Sequence, residues 1–169
     1  MDSAEIKFES FEYIELPAAR FIGIDALRTG EGFCDLWRRR GEWIPALGQS
    51  GGDACAFPYD CALKHHDFKD VANPMHYIAG RFMKAGTPAP EGYDFLDFPP
   101  MRAAYAVIAG EFKDLGAVIR AVYDATRDRI LREGVSIPYP EAYWTAEVYL
   151  KHPDVGGGCH LGYLFSVGK

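Results

Sequence analysis

The chain has 169 residues, a net charge of −6, 49% hydrophobic and 25% charged residues. That length suits one domain whose core needs neither disulfides nor metal, and the acidic balance argues against direct contact with a phosphate backbone. No apolar run is long enough to span a bilayer and no secretory segment is present, so the expectation is a cytoplasmic protein whose four cysteines (Cys34, Cys55, Cys61, Cys159) are reduced thiols.

From the N-terminus, β-branched and aromatic runs predict strands at about 6–15 and 20–27. A helix follows, with Phe33, Leu36, Trp37, Trp43, Ile44 and Leu47 on one stripe. Arg38-Arg39-Arg40 falls on its solvent side. Further strands are predicted at about 54–59, 76–83, 93–98 and 102–109, with loops at about 48–53 and 64–75 and a Gly/Pro-rich linker at about 84–92. A second helical stripe carries Phe112, Leu115, Val118, Ile119, Val122, Tyr123 and Ile130, and Gly134, Pro138 and Pro140 stop it. The last strands are predicted at about 142–150 and 159–167.

The order is strand-strand-helix-strand-strand, then the same again. Leu16-Pro17-Ala18-Ala19-Arg20 is echoed by Phe98-Pro99-Pro100-Met101-Arg102, and Gly32-Phe33-Cys34-Asp35-Leu36 by Glu111-Phe112-Lys113-Asp114-Leu115. A duplicated unit without parallel crossovers predicts an α+β fold: an antiparallel sheet with two helices, built from two pseudo-twofold-related βαββ repeats around a central cleft. The whole chain is then one domain, with halves at about 5–83 and 93–169.

The segment Tyr143–Leu150 carries the sharpest chemical signal. Period-two alternation puts Tyr143, Thr145, Glu147 and Tyr149 on one face and Trp144, Ala146, Val148 and Leu150 on the other. A lone acid among hydroxyl-tipped rings is either a solvated residue on an open sheet or the floor of a pocket for a ligand of positive character. The all-apolar face needs cover, and left open it would favour a homodimer.

In order and spacing, several motifs resemble the GyrI-like small-molecule-binding domain, also called the bacterial transcription-activator effector-binding domain. They are Leu16-Pro17 with Arg20-Phe21-Ile22-Gly23-Ile24, then Ala54–Asp60, Tyr77-Ile78-Ala79-Gly80, Phe98-Pro99 with Tyr105-Ala106-Val107, and Glu147-Val148-Tyr149. The resemblance implies two βαββ units and a cleft that takes bulky, often cationic aromatic compounds, with Glu147 in the position of a buried ligand-contacting glutamate. Many relatives are fused to a DNA-binding module. This chain departs from that plan, since the residues before the first strand are too few for a helix-turn-helix, and a freestanding member is expected. Freestanding relatives include gyrase inhibitors and hydrolases that open strained cyclopropane-bearing compounds.

The candidate ligand-binding residues are therefore Glu147, Tyr149, Tyr143, Tyr105, Tyr163 and, on the first helix, Trp37. Trp43 stands six positions on from Trp37 and is expected to face elsewhere. Cys55, Cys61, His65, His66 and Cys159-His160 match no zinc spacing, and no cofactor is expected. Five serines without a nucleophile elbow give no support to a triad. Catalysis, if present, would use Glu147 as general base on a water with Tyr149 assisting. Three readings stay open at this point: a binder of aromatic or cationic compounds, a cyclopropane-opening hydrolase, and a gyrase-inhibitor-like interaction protein.

Overall fold

The computed structural model describes residues 7–49, 56–66, 75–110, 115–151 and 159–168. The fold is α+β, and the chain divides into two compact units, one of residues 15–101 and one of residues 1–14 with 102–169. The N-terminal strand thus belongs with the C-terminal half.

The unit of residues 15–101 contains β2 (Ala19–Asp25), the short helices α1 (Ala26–Thr29), α2 (Phe33–Arg38) and α3 (Arg40–Gln49), then β3 (Asp60–His66), β4 (Met75–Lys84) and β5 (Asp94–Phe98); β1 (Ser10–Leu16) precedes them. Its strands lie in the order β3-β4-β2-β5, antiparallel throughout. The other unit contains most of β1, β6 (Met101–Gly110), α4 (Leu115–Arg132), β7 (Trp144–Lys151) and β8 (Cys159–Val167), with strand order β7-β8-β6-β1. In each unit a strand-helix-strand-strand run lays down its strands second-third-first, and an extra strand flanks the first. The Leu16–Arg20 and Phe98–Arg102 echoes enter corresponding strands, β2 and β6. Of the echo at Glu111–Leu115, residues 111–114 lie outside the described residues.

Three expectations need correction. The predicted strand at 54–59 is not one where it is described: residues 56–59 are irregular, and the strand is Asp60–His66, partly inside the predicted loop at 64–75. Asp60 reads as a strand breaker in sequence, yet it opens β3 with its side chain 3% exposed, because Arg40 and Arg81 both bind its carboxylate. The first helix breaks at Arg39, which leaves the helical region (φ −96°, ψ 23°). The run Arg38-Arg39-Arg40 is at least partly exposed and ion-paired: Arg38 pairs with Asp35, Arg39 with Glu31 and Glu42, and Arg40 with Asp60. Of the predicted loop at 48–53, residues 48–49 are the end of α3 and the others lie outside the described residues.

Phe21, Ile22, Leu36, Leu47, Leu63 and Met83 are fully buried in the first unit, and Val122, Ile130, Leu161, Leu164 and Phe165 in the second. A stripe of Val122, Thr126 and Ile130 seats α4, and Gly134 (φ 72°) ends the turn that follows it. The edge strand β1 is strapped to this helix. The Tyr13 hydroxyl donates to Glu133 at 2.7 Å and Arg129 lies 4.1 Å over the Phe11 ring. No helix among the described residues is long and apolar enough to cross a membrane.

Candidate functional site

On β7 every side chain from Tyr143 to Tyr149 is buried, whichever face it serves. Trp144, Ala146 and Val148 are at most 3% exposed within the single chain. Leu150, the fourth residue of this face, is part-exposed.

The other face holds Glu147, 2% exposed. The solvated reading of this carboxylate is therefore excluded. Tyr149, two residues along the same face, donates its hydroxyl to Glu147 Oε2 at 2.6 Å, the length of a hydroxyl-to-carboxylate bond. Antiparallel register places Tyr163 of β8 directly across from Glu147, and Phe165 across from Thr145. Tyr163 is fully buried and donates to Thr145 Oγ1 at 3.1 Å. Burial, with the nearby Glu147 charge adding to it, holds the Tyr163 phenol well above its ordinary pKa, so it stays a neutral donor.

Helix α4 covers this face. The Tyr123 ring sits 6.1 Å from Tyr163 and 5.4 Å from Phe165, and its hydroxyl lies 3.0 Å from that of Tyr143. Burial and this tyrosine partner push the Tyr143 phenol up as well. Glu147 thus shares one layer with Tyr143, Tyr149 and Tyr163, and Tyr123 adds a ring from the helix. Tyr123 was missed as a site residue. It is the only hydroxyl-bearing residue in the predicted α4 stripe, which is the signal that marks it.

Tyr105 is not brought to this group. It pairs with Leu164, and Leu164 with Ala146, so Tyr105 belongs to the opposite face. There its ring covers Gly162, where an added Cβ would come within 2.7 Å of the ring.

Trp37 lies in the other unit. It donates Nε1–H to the Tyr77 hydroxyl at 2.8 Å, and its ring contacts Trp43 at 5.4 Å. The expected divergence of the two tryptophans fails because the helix breaks between them. Close by, a cavity of about 290 Å³ is lined by Leu27, Gly30, Glu31, Phe33, Met75 and Tyr77 among others. Among the metal-ligand types, Cys55 and the Cys159 side chain lie outside the described residues, and the described ones form no group of three or more that could hold a metal ion.

The α4 stripe contains one polar anomaly. Thr126 is fully buried and its Oγ1 has no hydrogen-bond partner. An unsatisfied buried hydroxyl costs roughly 1–3 kcal/mol. Thr126→Val keeps the shape and removes the polar atom, so thermal unfolding should move up, by about 2–4 °C for each kcal/mol recovered. A fall in melting temperature would mean that the hydroxyl is satisfied.

No protein-family model and no curated protein matches the chain. Solved structures do match over nearly its whole length. SAV2435 bound to tetraphenylphosphonium aligns with a TM-score of 0.61 at 10% identity, covering 94% of each chain. The EcmrR C-terminal domain aligns at 0.58 and 15% identity, over 95% of this chain and 98% of that one. A hydrolase encoded by lin2189 from Listeria innocua aligns at 0.55 and 10% identity, over 95% and 93%. At these identities the likeness is one of fold, and the fold is the one the GyrI-like resemblance implied.

Proposed function

We propose that this chain binds bulky aromatic cations through Glu147, with Tyr149, Tyr163, Tyr143 and Tyr123 as the ring walls. The observation that carries the reading is a carboxylate only 2% exposed, lying in a layer of tyrosines. Withdrawing a carboxylate from water is costly unless it is hydrogen-bonded and paired. Tyr149 supplies one such bond, and a delocalised cation would be attracted to the carboxylate while its rings stack on the phenols. Tetraphenylphosphonium, the ligand of SAV2435, has this chemistry. Binding at so enclosed a carboxylate requires a covering side chain to move. Tyr123, half-buried on α4, is placed to do so.

The test is a calorimetric titration with tetraphenylphosphonium of the wild type and Glu147→Gln. The amide keeps the shape and removes the charge, so the cation should bind about tenfold more weakly or worse, with a neutral dye of similar size unaffected. No saturable binding by the wild type, or equal affinity in the variant, would refute the reading.

A second reading is hydrolysis of a strained, electron-poor ring, favoured by the 2.6 Å Tyr149–Glu147 contact. Glu147 would take a proton from the attacking water, and Tyr149 would protonate the carbon released as the ring bond breaks. Glu147→Gln would then keep binding and lose turnover.

A further inference from the structure

The unit of residues 15–101 carries an aromatic recess that shares no residue with the Glu147 group. Phe33 lies flat on Tyr77, ring centres 4.1 Å apart and planes 17° from parallel. Tyr77 is 4% exposed and its hydroxyl is fixed by Trp37, whereas Phe33 is 49% exposed. The stack therefore has a buried inner ring and an accessible outer one. Of six exposed large apolar side chains among the described residues, three (Leu27, Phe33 and Met75) line this one cavity. Single exposed apolar residues are ordinary, but a concentration around a concavity marks a binding surface.

The rim is held firmly. Asp25 caps α1 by accepting from the Leu27 N–H at 2.9 Å, and it also binds His76 at 2.6 Å. Arg28 ties the same turn to Asp94 at 2.8 Å. Gly30, at φ 72°, reverses the chain so that Glu31 and Phe33 return over β4; any other residue there would be strained. A recess built this way loses little freedom on binding.

Charge selects the ligand. Glu31 is the one carboxylate in the lining, and both of its oxygens are engaged by Arg39, at 2.6 and 2.8 Å. That guanidinium, by direct hydrogen bonding, holds Glu31 below the usual carboxylate range. Arg39, which also binds Glu42, offsets much of the Glu31 charge, and the negative ring faces repel an anion. A carboxylate oxygen has lone pairs to spare for one N–H. A volume of about 290 Å³ stands at the small end of ligand pockets, enough for two or three rings.

We propose that this cavity is a second binding site, for a small uncharged planar aromatic molecule that stacks on Phe33 and directs an N–H donor to Glu31. It goes beyond the Glu147 reading and does not depend on it.

The probe is N-phenyl-1-naphthylamine, uncharged, with one N–H, and brighter in apolar surroundings. Titrated into the whole chain it should bind saturably with one equivalent. Phe33→Ala should weaken it at least tenfold, Met75→Lys should weaken it by adding a hydrated charge at the rim, and excess tetraphenylphosphonium should leave it within twofold. Both rim residues are substantially exposed, so the variants should unfold at the wild-type denaturant midpoint, which is checked alongside. The proposal is overturned if the wild type shows no saturable binding, if neither rim variant weakens it, or if tetraphenylphosphonium displaces the probe. The last outcome would assign the probe to the Glu147 group.

Discussion

Gly80→Ala is expected to lower the free energy of unfolding by about 3 kcal/mol or more, at the severe end for a single added methyl group. Gly80 of β4 stands opposite Gly23 of β2. A Cβ at Gly80 would lie 2.0 Å from the Ile22 carbonyl oxygen, and one at Gly23 would lie 2.2 Å from that of Ala79. The obstacle in each case is backbone inside an antiparallel ladder, which cannot rotate aside as a side-chain tip can. Relief requires the two strands to separate, at the cost of ladder hydrogen bonds. A urea titration followed by tryptophan fluorescence reads the shift in midpoint. Gly41→Ala is the control: nothing lies within 4 Å of its added Cβ, and alanine suits a helix. That change should be neutral or stabilising by about 0.5 kcal/mol. Equal losses at both positions would refute the argument.

Much of this architecture is legible in the sequence because one face of each element must be apolar. The run at 159–167 is a strand at those bounds, and the run at 142–150 is displaced by two residues or fewer. β3 was illegible for a physical reason. An aspartate after Pro58 and Tyr59 signals a turn only while its charge faces water, and here two arginines distant in sequence bind it. No local pattern encodes that partnership. The break at Arg39 is similarly non-local, since Phe33 through Leu47 reads as one stripe.

The Glu147 layer was partly legible. Alternation alone put Tyr143, Glu147 and Tyr149 on one face, because their relation lies within a single strand. Tyr163 and Tyr105 depend on pairing register, which the sequence does not state. A one-residue change in register exchanges the two faces of a strand. β8 happens to set Tyr163 across from Glu147, and its pairing with β6 then sends Tyr105 to the other side. The Phe33 recess was hidden for a different reason. Phe33 reads as a core residue of an amphipathic helix, and only the three-dimensional turn at Gly30 leaves half of its ring uncovered.

Asp60→Ala is expected to cost about 3–5 kcal/mol, more than deletion of an ordinary surface acid. Asp60 accepts from Arg81 Nε at 2.6 Å on one oxygen and from Arg40 Nε at 2.6 Å on the other. Removing it leaves two guanidinium groups facing each other without their counter-charge. Arg40, with its side chain 36% exposed, can swing into water; Arg81, at 21%, has less room, so most of the loss should arise there. Pairing Asp60→Leu with Arg81→Met should therefore recover much of the stability, because a buried ion pair replaced whole by apolar groups costs far less than one broken in half. Added salt should change little, since the carboxylate is enclosed. The same cluster fixes the start of α3 to β3 and β4, and α2 is joined to α3 at Arg39. Asp60→Ala should thus loosen the helix that presents Phe33 over Tyr77 and weaken N-phenyl-1-naphthylamine binding, though Asp60 is not among the residues lining that cavity. Measured unfolding free energies across wild type, Asp60→Leu, Arg81→Met and the paired replacement give the coupling directly. Simple additivity of the two single losses would show that Asp60 and Arg81 do not act as a pair.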